Sequence, residues 1–345
     1  MKPLVKPAKL LPGDTVATVS LSWGGAGDPG LLWRYRLGRQ RLRQQFGLEV
    51  VEMPGTLKGS DYLYRHPEER AADLMEAFAN PNIKAIFSCI GGDDSIRLLP
   101  HIDFSVLRAN PKILMGYSDT TIAHLLCFKA GLSSFYGPSV LGEFAENVEI
   151  FPYTAAAVRA ALFETAPLGP VAAAPAWTGE YMDWSEQNKN RPKTLLPGTG
   201  YRILQGQRTA RGRLFGGCME VLEMAKGTGL WPAPGELEGA IWFFETSEEA
   251  PPPNFVEYWL RGYAAQGLLQ GAAALLFGRP YQGRHAEAYQ TAIQKVLAEA
   301  GLARLPVVYG MDFGHNQPMC VLPYGALAEV NCQAGTVAIC EAGVV

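Results

Sequence analysis

The 345-residue chain has no apolar run approaching the roughly 18 residues that a bilayer-spanning helix needs, so a membrane-embedded protein is not expected. Its opening residues, Met1-Lys2-Pro3-Leu4-Val5-Lys6-Pro7, lack the apolar core of a secretory signal, which predicts a cytoplasmic location. Concentrated charge is also missing. Lys and Arg total 30 against 33 Asp and Glu, a net charge of −3, and no basic block is long enough to track a phosphate backbone, which excludes a nucleic-acid polymer as partner. The arginine-dense stretch from Arg34 to Arg43 alternates its arginines with Leu and Gln and reads as the solvated face of a helix. Cysteine is scarce: Cys89, Cys127, Cys218, Cys320, Cys332 and Cys340 lie far apart with no CxxC pair, so free buried thiols are expected rather than disulfides or a zinc site. Neither a Gly-x-Gly-x-x-Gly fingerprint nor a phosphate-loop lysine is present, and no internal repeat is visible. Neither a metal nor an organic cofactor is called for.

What is present is ordinary for a soluble globular enzyme: 48% hydrophobic and 18% charged residues, on a chain long enough for two domains. From Asp14 to about Phe163, strand-like runs (Thr15 to Ser20, Leu48 to Val51, Lys84 to Ile90, Ile113 to Met115) alternate with helical patterns near 30–45, 67–79 and 120–130. Such alternation predicts an α/β domain with a mostly parallel sheet covered on both faces. The helix opening at Pro67 carries proline and then acids in its first turn, followed by apolar residues at three- and four-residue steps. Small residues and prolines from Thr165 to Pro175 suit a linker. The expected division is a first domain over 1–165, a linker over 166–180 and a smaller mixed domain over 181–345. Strand-like Gly239 to Phe244 and Ala273 to Phe277 and helices near 253–266 and 286–300 fall within the last.

The chemistry begins at Ile113-Leu114-Met115-Gly116-Tyr117-Ser118-Asp119-Thr120-Thr121, a short apolar run ending in a glycine-flanked serine that opens into a helical pattern. A nucleophile on a strand-to-helix turn has this layout, with the N–H groups of the following turn aimed at an oxyanion. The same residues also read as a plain N-cap. Ile90-Gly91-Gly92-Asp93-Asp94-Ser95 follows a buried-type strand, which places its glycines at the carboxyl edge of the sheet. It is a tight turn or, functionally, a source of a backbone N–H from Gly92. A serine nucleophile needs a base. Of five histidines, His315 stands out in Asp312-Phe313-Gly314-His315-Asn316-Gln317-Pro318, a loop bounded by glycine and proline after a strand-like run. For the carboxylate that steadies such a base, Glu245 caps Ile241-Trp242-Phe243-Phe244, and Glu248 and Glu249 are close enough to compete.

Arg70-Ala71-Ala72-Asp73-Leu74-Met75, Ile90-Gly91-Gly92, Gly116-Tyr117-Ser118-Asp119-Thr120, Phe135-Tyr136-Gly137-Pro138, Gly216-Gly217, Phe243-Phe244-Glu245 and Phe313-Gly314-His315 together resemble the serine peptidase family of LD-carboxypeptidases and microcin C self-immunity proteins. The motifs run in family order over nearly the whole chain. The resemblance implies a Ser118, Glu245, His315 triad and oxyanion donors from the backbone of Gly92 and Asp119. It further implies a flavodoxin-like N-terminal domain, a barrel-like C-terminal domain with the site between them, and a homodimer.

Asp93 and the segments around Leu98 and Phe144 are closer to the microcin C immunity branch. There the long loop from Trp177 through Trp184 to Arg191 would help to hold an aminoacyl-nucleotide. Trp177 or Trp184 could stack on a base or could simply pin the loop. Where the family commonly has Asn after Gly216-Gly217, this chain has Cys218. The expected activity is hydrolysis of the amide bond of aminoacyl- or peptidyl-nucleotides such as processed microcin C, giving self-immunity. One alternative is removal of D-alanine from murein tetrapeptides, for which Arg191 could clamp a carboxylate. Another is a non-catalytic ligand-binding protein, favoured if the three triad residues lie beyond roughly 4 Å of one another.

Overall fold

The computed structural model describes all 345 residues. Its first sheet has the order Leu322–Pro323, Phe135–Tyr136, Ile113–Gly116, Ile83–Ser88, Thr15–Val19 and Glu49–Glu52, with every pairing parallel except that of the Leu322–Pro323 edge. The central strands are near-continuous apolar runs because both faces are covered: Ile113–Gly116 is buried throughout, and Ile83–Ser88 exposes only Lys84. Helices Leu32–Phe46, Pro67–Ala79 and Thr121–Ala130 fall where periodicity placed them. The second opens on Pro67 with Glu68 and Glu69 in its first turn, and it buries Leu74, Ala77 and Phe78.

The second sheet is mixed. Thr209–Cys218, Ile241–Glu245, Ala274–Gly278 and Val307–Met311 form a parallel centre, flanked by the antiparallel strands Leu327–Asn331, Thr336–Ile339 and Gly169–Pro170 on one side and Arg202–Gln205 on the other. Its two edge strands do not pair with each other, so the barrel-like element is an open eight-stranded sheet rather than a closed barrel. Helices Pro253–Ala265 and Ala286–Glu299 cover it. Leu322–Pro323 carries the chain back to complete the first sheet, and one continuous apolar cluster joins Ala17 and Ile122 to Trp242 and Leu276. Polar contacts add register: the Cys218 N–H donates to Thr121 Oγ1, and the Tyr324 hydroxyl to Gly216 O. No helix is long and apolar enough to cross a membrane. All six cysteines are free; four are buried, Cys332 is half-buried and Cys340 is exposed.

The arginine-rich helix departs from expectation. Arg34 and Arg41 are buried, not solvated. The segment over 137–150 has no regular strand or helix to satisfy its carbonyls, and the guanidinium groups supply the donors. Arg34 donates to Leu141 O (2.6 Å) and Asn147 Oδ1 (3.1 Å), and Arg41 donates to Phe144 O (3.2 Å) and Val148 O (2.8 Å).

Candidate active site

Four strands deliver the site from their carboxyl ends, where open α/β sheets place ligands. Ile83–Ser88 leads to Gly91 and Gly92, and Ile113–Gly116 leads to Ser118. From the second sheet, Ile241–Glu245 ends on Glu245, and Val307–Met311 leads to His315. Ser118 sits in the left-handed region, with φ of 59°, at the start of a short turn before helix Thr121–Ala130. A non-glycine residue there is strained by about 1–3 kcal/mol, and the turn is held by its surroundings. The Ser118 N–H donates to the hydroxyl of Tyr136 (3.1 Å), which itself donates to Glu245 Oε1 at 2.5 Å.

His315 Nε2 lies 3.0 Å from Ser118 Oγ, and His315 Nδ1 lies 2.7 Å from Glu245 Oε2. Both contacts fall inside the roughly 4 Å within which a nucleophile, base and orienting carboxylate work together. Two glycines permit this closeness. A Cβ on Gly91 would stand 2.8 Å from Ser118 Cβ, and one on Gly314, whose φ is 92°, would stand 2.7 Å from Glu245 Oε2. The Tyr117 ring meets His315 edge-on, with centroids 5.1 Å apart.

Charge in the site is dominated by carboxylates. Burial alone would lower the pKa of His315, but Glu245 and Glu248 outweigh it and raise the imidazole well above its ordinary value. Glu248 Oε2 lies 3.0 Å from His315 Nε2, and this hydrogen bond pulls the Glu248 carboxyl down to about 2. Of the two carboxylates foreseen as competitors of Glu245, Glu248 takes Nε2 while Glu245 keeps Nδ1, and Glu249 makes no ion pair with the imidazole. No group of three His, Cys, Asp or Glu side chains is arranged to hold a metal ion.

Ser118 and His315 open into a cleft of about 1210 Å³, lined also by Gly92, Asp93 and Trp184. The Gly92 N–H donates to no group of the protein and stays available to a ligand. Asp119 follows Ser118 within the same short turn. Its side chain is structural, with Oδ2 accepting from the Ser95 N–H at 2.8 Å, and burial raises its carboxyl. Trp184 stacks with Trp23, centroids 6.3 Å apart, and lies 4.5 Å over the Arg34 guanidinium.

Two expected substrate contacts are not at the cleft. Trp177 is held against the Arg279 guanidinium at 4.5 Å, and Arg279 is anchored 3.3 Å from Asp312, so this tryptophan pins the loop. Arg191 points to solvent and lies 3.6 Å from Glu180. Cys218 lines the cleft with its thiol 3.3 Å from Glu220 Oε2. The sequence reading missed Tyr136 and Trp23 as site residues. Tyr136 had a signal in its Phe-Tyr-Gly-Pro motif, and Trp23 stands in a glycine-rich loop after the first strand.

Comparison with known proteins identifies the family of the chain. Residues 16–137 match the LD-carboxypeptidase N-terminal domain, and residues 211–330 match the LD-carboxypeptidase C-terminal domain. The chain is 28% identical over 305 residues to the microcin C7 self-immunity protein MccF of Escherichia coli, covering 86% of each chain. A solved structure of MccF with aspartyl sulfamoyl adenosine aligns over 99% of this chain and all of that one, with a TM-score of 0.85. A probable murein peptide carboxypeptidase of Bacillus subtilis is 29% identical, covering 98% of this chain and 95% of its own. The structure of an MccF-like protein from Streptococcus pneumoniae in complex with AMP has a TM-score of 0.87 and 32% identity, covering 94% of this chain and 98% of that one. From matched domains in both halves and near-complete structural overlap, the chain belongs to the LD-carboxypeptidase family, whose members include MccF.

Proposed function

We propose that this protein is a serine hydrolase that cleaves the amide bond of aminoacyl- or peptidyl-nucleotides. Ser118 Oγ attacks the carbonyl carbon while His315 Nε2 takes its proton, and Glu245 orients the imidazole and steadies the imidazolium. The N–H groups of Gly92 and Asp119 receive the oxyanion. As the tetrahedral intermediate collapses, the C–N bond breaks and the amine leaves with the proton from His315. Water, deprotonated by the same histidine, then releases the acyl group from Ser118.

The nucleotide half of this reading rests on the aromatic wall formed by Trp23 and Trp184 above Arg34. A base stacked on such a surface gains about 1–3 kcal/mol. Asp93 in the same cleft offers an acceptor to ribose hydroxyls. The AMP and aspartyl sulfamoyl adenosine held by the related structures support the same assignment. A second reading, removal of a terminal D-alanine from murein peptides, is supported by the matched domains and the Bacillus subtilis relative. Glu248 and Glu249 in the cleft lining suit the ammonium of a diamino acid.

The deciding experiment offers an aminoacyl-adenylate mimic with a cleavable amide and a murein L,D-tetrapeptide to the wild type, Ser118→Ala and Trp184→Ala. Cleavage of the nucleotide conjugate should vanish in Ser118→Ala, and in Trp184→Ala its KM should rise by roughly 5- to 150-fold. Undiminished turnover in Ser118→Ala would overturn the mechanism. Cleavage of the tetrapeptide alone, indifferent to Trp184, would establish the second reading.

A further inference from the structure

The His315 Nε2 atom has two suitors. Ser118 Oγ stands 3.0 Å away on one side and Glu248 Oε2 stands 3.0 Å away on the other. An imidazole nitrogen carries either a hydrogen or a lone pair. A carboxylate accepts only, so its contact requires Nε2–H, and with Nδ1 committed to Glu245 the ring is then an imidazolium. A base for Ser118 requires Nε2 bare. The resting arrangement is therefore incompatible with the first step of catalysis, and Glu248 must leave before Ser118 can be activated.

Glu248 is free to do so. It lies on the loop between strand Ile241–Glu245 and helix Pro253–Ala265, its side chain is 59% exposed, and its only ion pair is with His315. Beside it in the cleft lining, Glu249 has no ion pair. The two other cations in that lining are already engaged: Arg34 with buried carbonyls, and Lys193 with Glu146 and Gln317. His315 itself is faced by Glu245, Glu248, Ser118 and the Tyr117 ring. Behind them stand Tyr136 on Glu245, Glu143 on Tyr117 and Glu220, whose carboxyl is raised by burial and then by Glu245. An anionic substrate group would meet repulsion here and leave Glu248 in place. A cation would draw it away.

We propose, building on the hydrolase reading above, that Glu248 is a specificity-determining positioning residue: it binds an ammonium on the substrate and, by moving to it, releases His315 to act as base. On exchange, the Nε2 proton passes to solvent, and the Ser118 hydroxyl becomes the donor to the vacated lone pair. The favoured substrates are acyl donors with an ammonium beside the scissile carbonyl, because Glu248 Oε2 and Ser118 Oγ both touch His315 Nε2 and so lie no more than two hydrogen-bond lengths apart.

The test separates this idea from turnover. Titration of the His315 imidazole by NMR in the free protein should show its midpoint falling by about one pH unit or more in Glu248→Gln relative to wild type. In Ser118→Ala, which holds ligand without cleaving it, an aminoacyl sulfamoyl adenosine should lower the His315 midpoint, and its N-acetylated counterpart should not. With the active protein, kcat/KM for the free-amine conjugate should exceed that for the acetylated one by on the order of tenfold, and Glu248→Gln should bring the two near parity. A midpoint unmoved by Glu248→Gln, or moved equally by both ligands, would overturn the proposal. A preference that persists in Glu248→Gln would do the same. Absence of cleavage would refute the hydrolase reading while the NMR arms still decide the role of Glu248.

Discussion

Replacing Tyr136 by Phe removes one oxygen and keeps the ring, so its consequences can be worked from two contacts. The hydroxyl accepts from the Ser118 N–H at 3.1 Å and donates to Glu245 Oε1 at 2.5 Å, and Tyr136 is fully buried. The variant leaves the Ser118 N–H without its acceptor, at about 1–3 kcal/mol. It also strips a charge-assisted hydrogen bond from a buried carboxylate, worth about 1.5–3 kcal/mol. Urea unfolding should report a loss of about 3 kcal/mol, with an unchanged slope because the exposed surface is the same. Activity should suffer beyond this, since the strained Ser118 turn and the Glu245 rotamer lose the same anchor. A kcat lowered by roughly 10- to 100-fold with KM little changed is the expected result, corresponding to about 1.4–2.7 kcal/mol in the transition state. A variant as stable and as fast as wild type would refute the idea that Tyr136 holds nucleophile and carboxylate in place.

Two further predictions concern the groups around this core. Gly91→Ala would put a methyl 2.8 Å from Ser118 Cβ and 2.9 Å from Ser118 Oγ, closer than unstrained contact allows, and kcat should fall at least about 100-fold in steady-state assays as the Ser118 turn is displaced. His124, buried between Gly116 O (2.9 Å) and Ser134 Oγ (2.8 Å), has its pKa pushed by burial from 6.5 to about 4. The unfolded chain therefore binds a proton there before the folded one does, so stability is full above about pH 6.5 and falls toward pH 4 by about 3 kcal/mol; urea midpoints across that range should drop less steeply in His124→Gln.

Much of this architecture was legible in the sequence because parallel strands buried on both faces leave short apolar runs, and open α/β sheets place chemistry just past them. Ser118, Glu245 and His315 each stand at or after such a run. What lay beyond reach was decided by partners distant in the chain. Arg34 and Arg41 are buried because an irregular segment more than a hundred residues away needs donors, and nothing in their own helix announces it. Trp177 and Trp184 occupy a loop without periodicity, so only the location of Arg279 and Trp23 separates the pinning residue from the cleft residue. The closure of a barrel likewise depends on two edge strands meeting, which local pattern does not encode.

The contacts of Ser118, His315, Glu245 and Tyr136 close on themselves. Ser118 Oγ meets His315 Nε2, His315 Nδ1 meets Glu245 Oε2, Glu245 Oε1 accepts from Tyr136, and the Tyr136 hydroxyl accepts from the Ser118 N–H. Two members belong to the first sheet and two to the second, so the ring exists only when the sheets are docked. Each member restrains its neighbours, which allows Ser118 to keep a left-handed backbone that it would not hold alone. Glu245 has one oxygen for His315 and the other for Tyr136, which holds the Ser118 N–H, leaving Nε2 of His315 as the point where the ring opens. That atom faces both Glu248 and the cleft, so the site can be rigid throughout its framework and still respond to the charge of what enters.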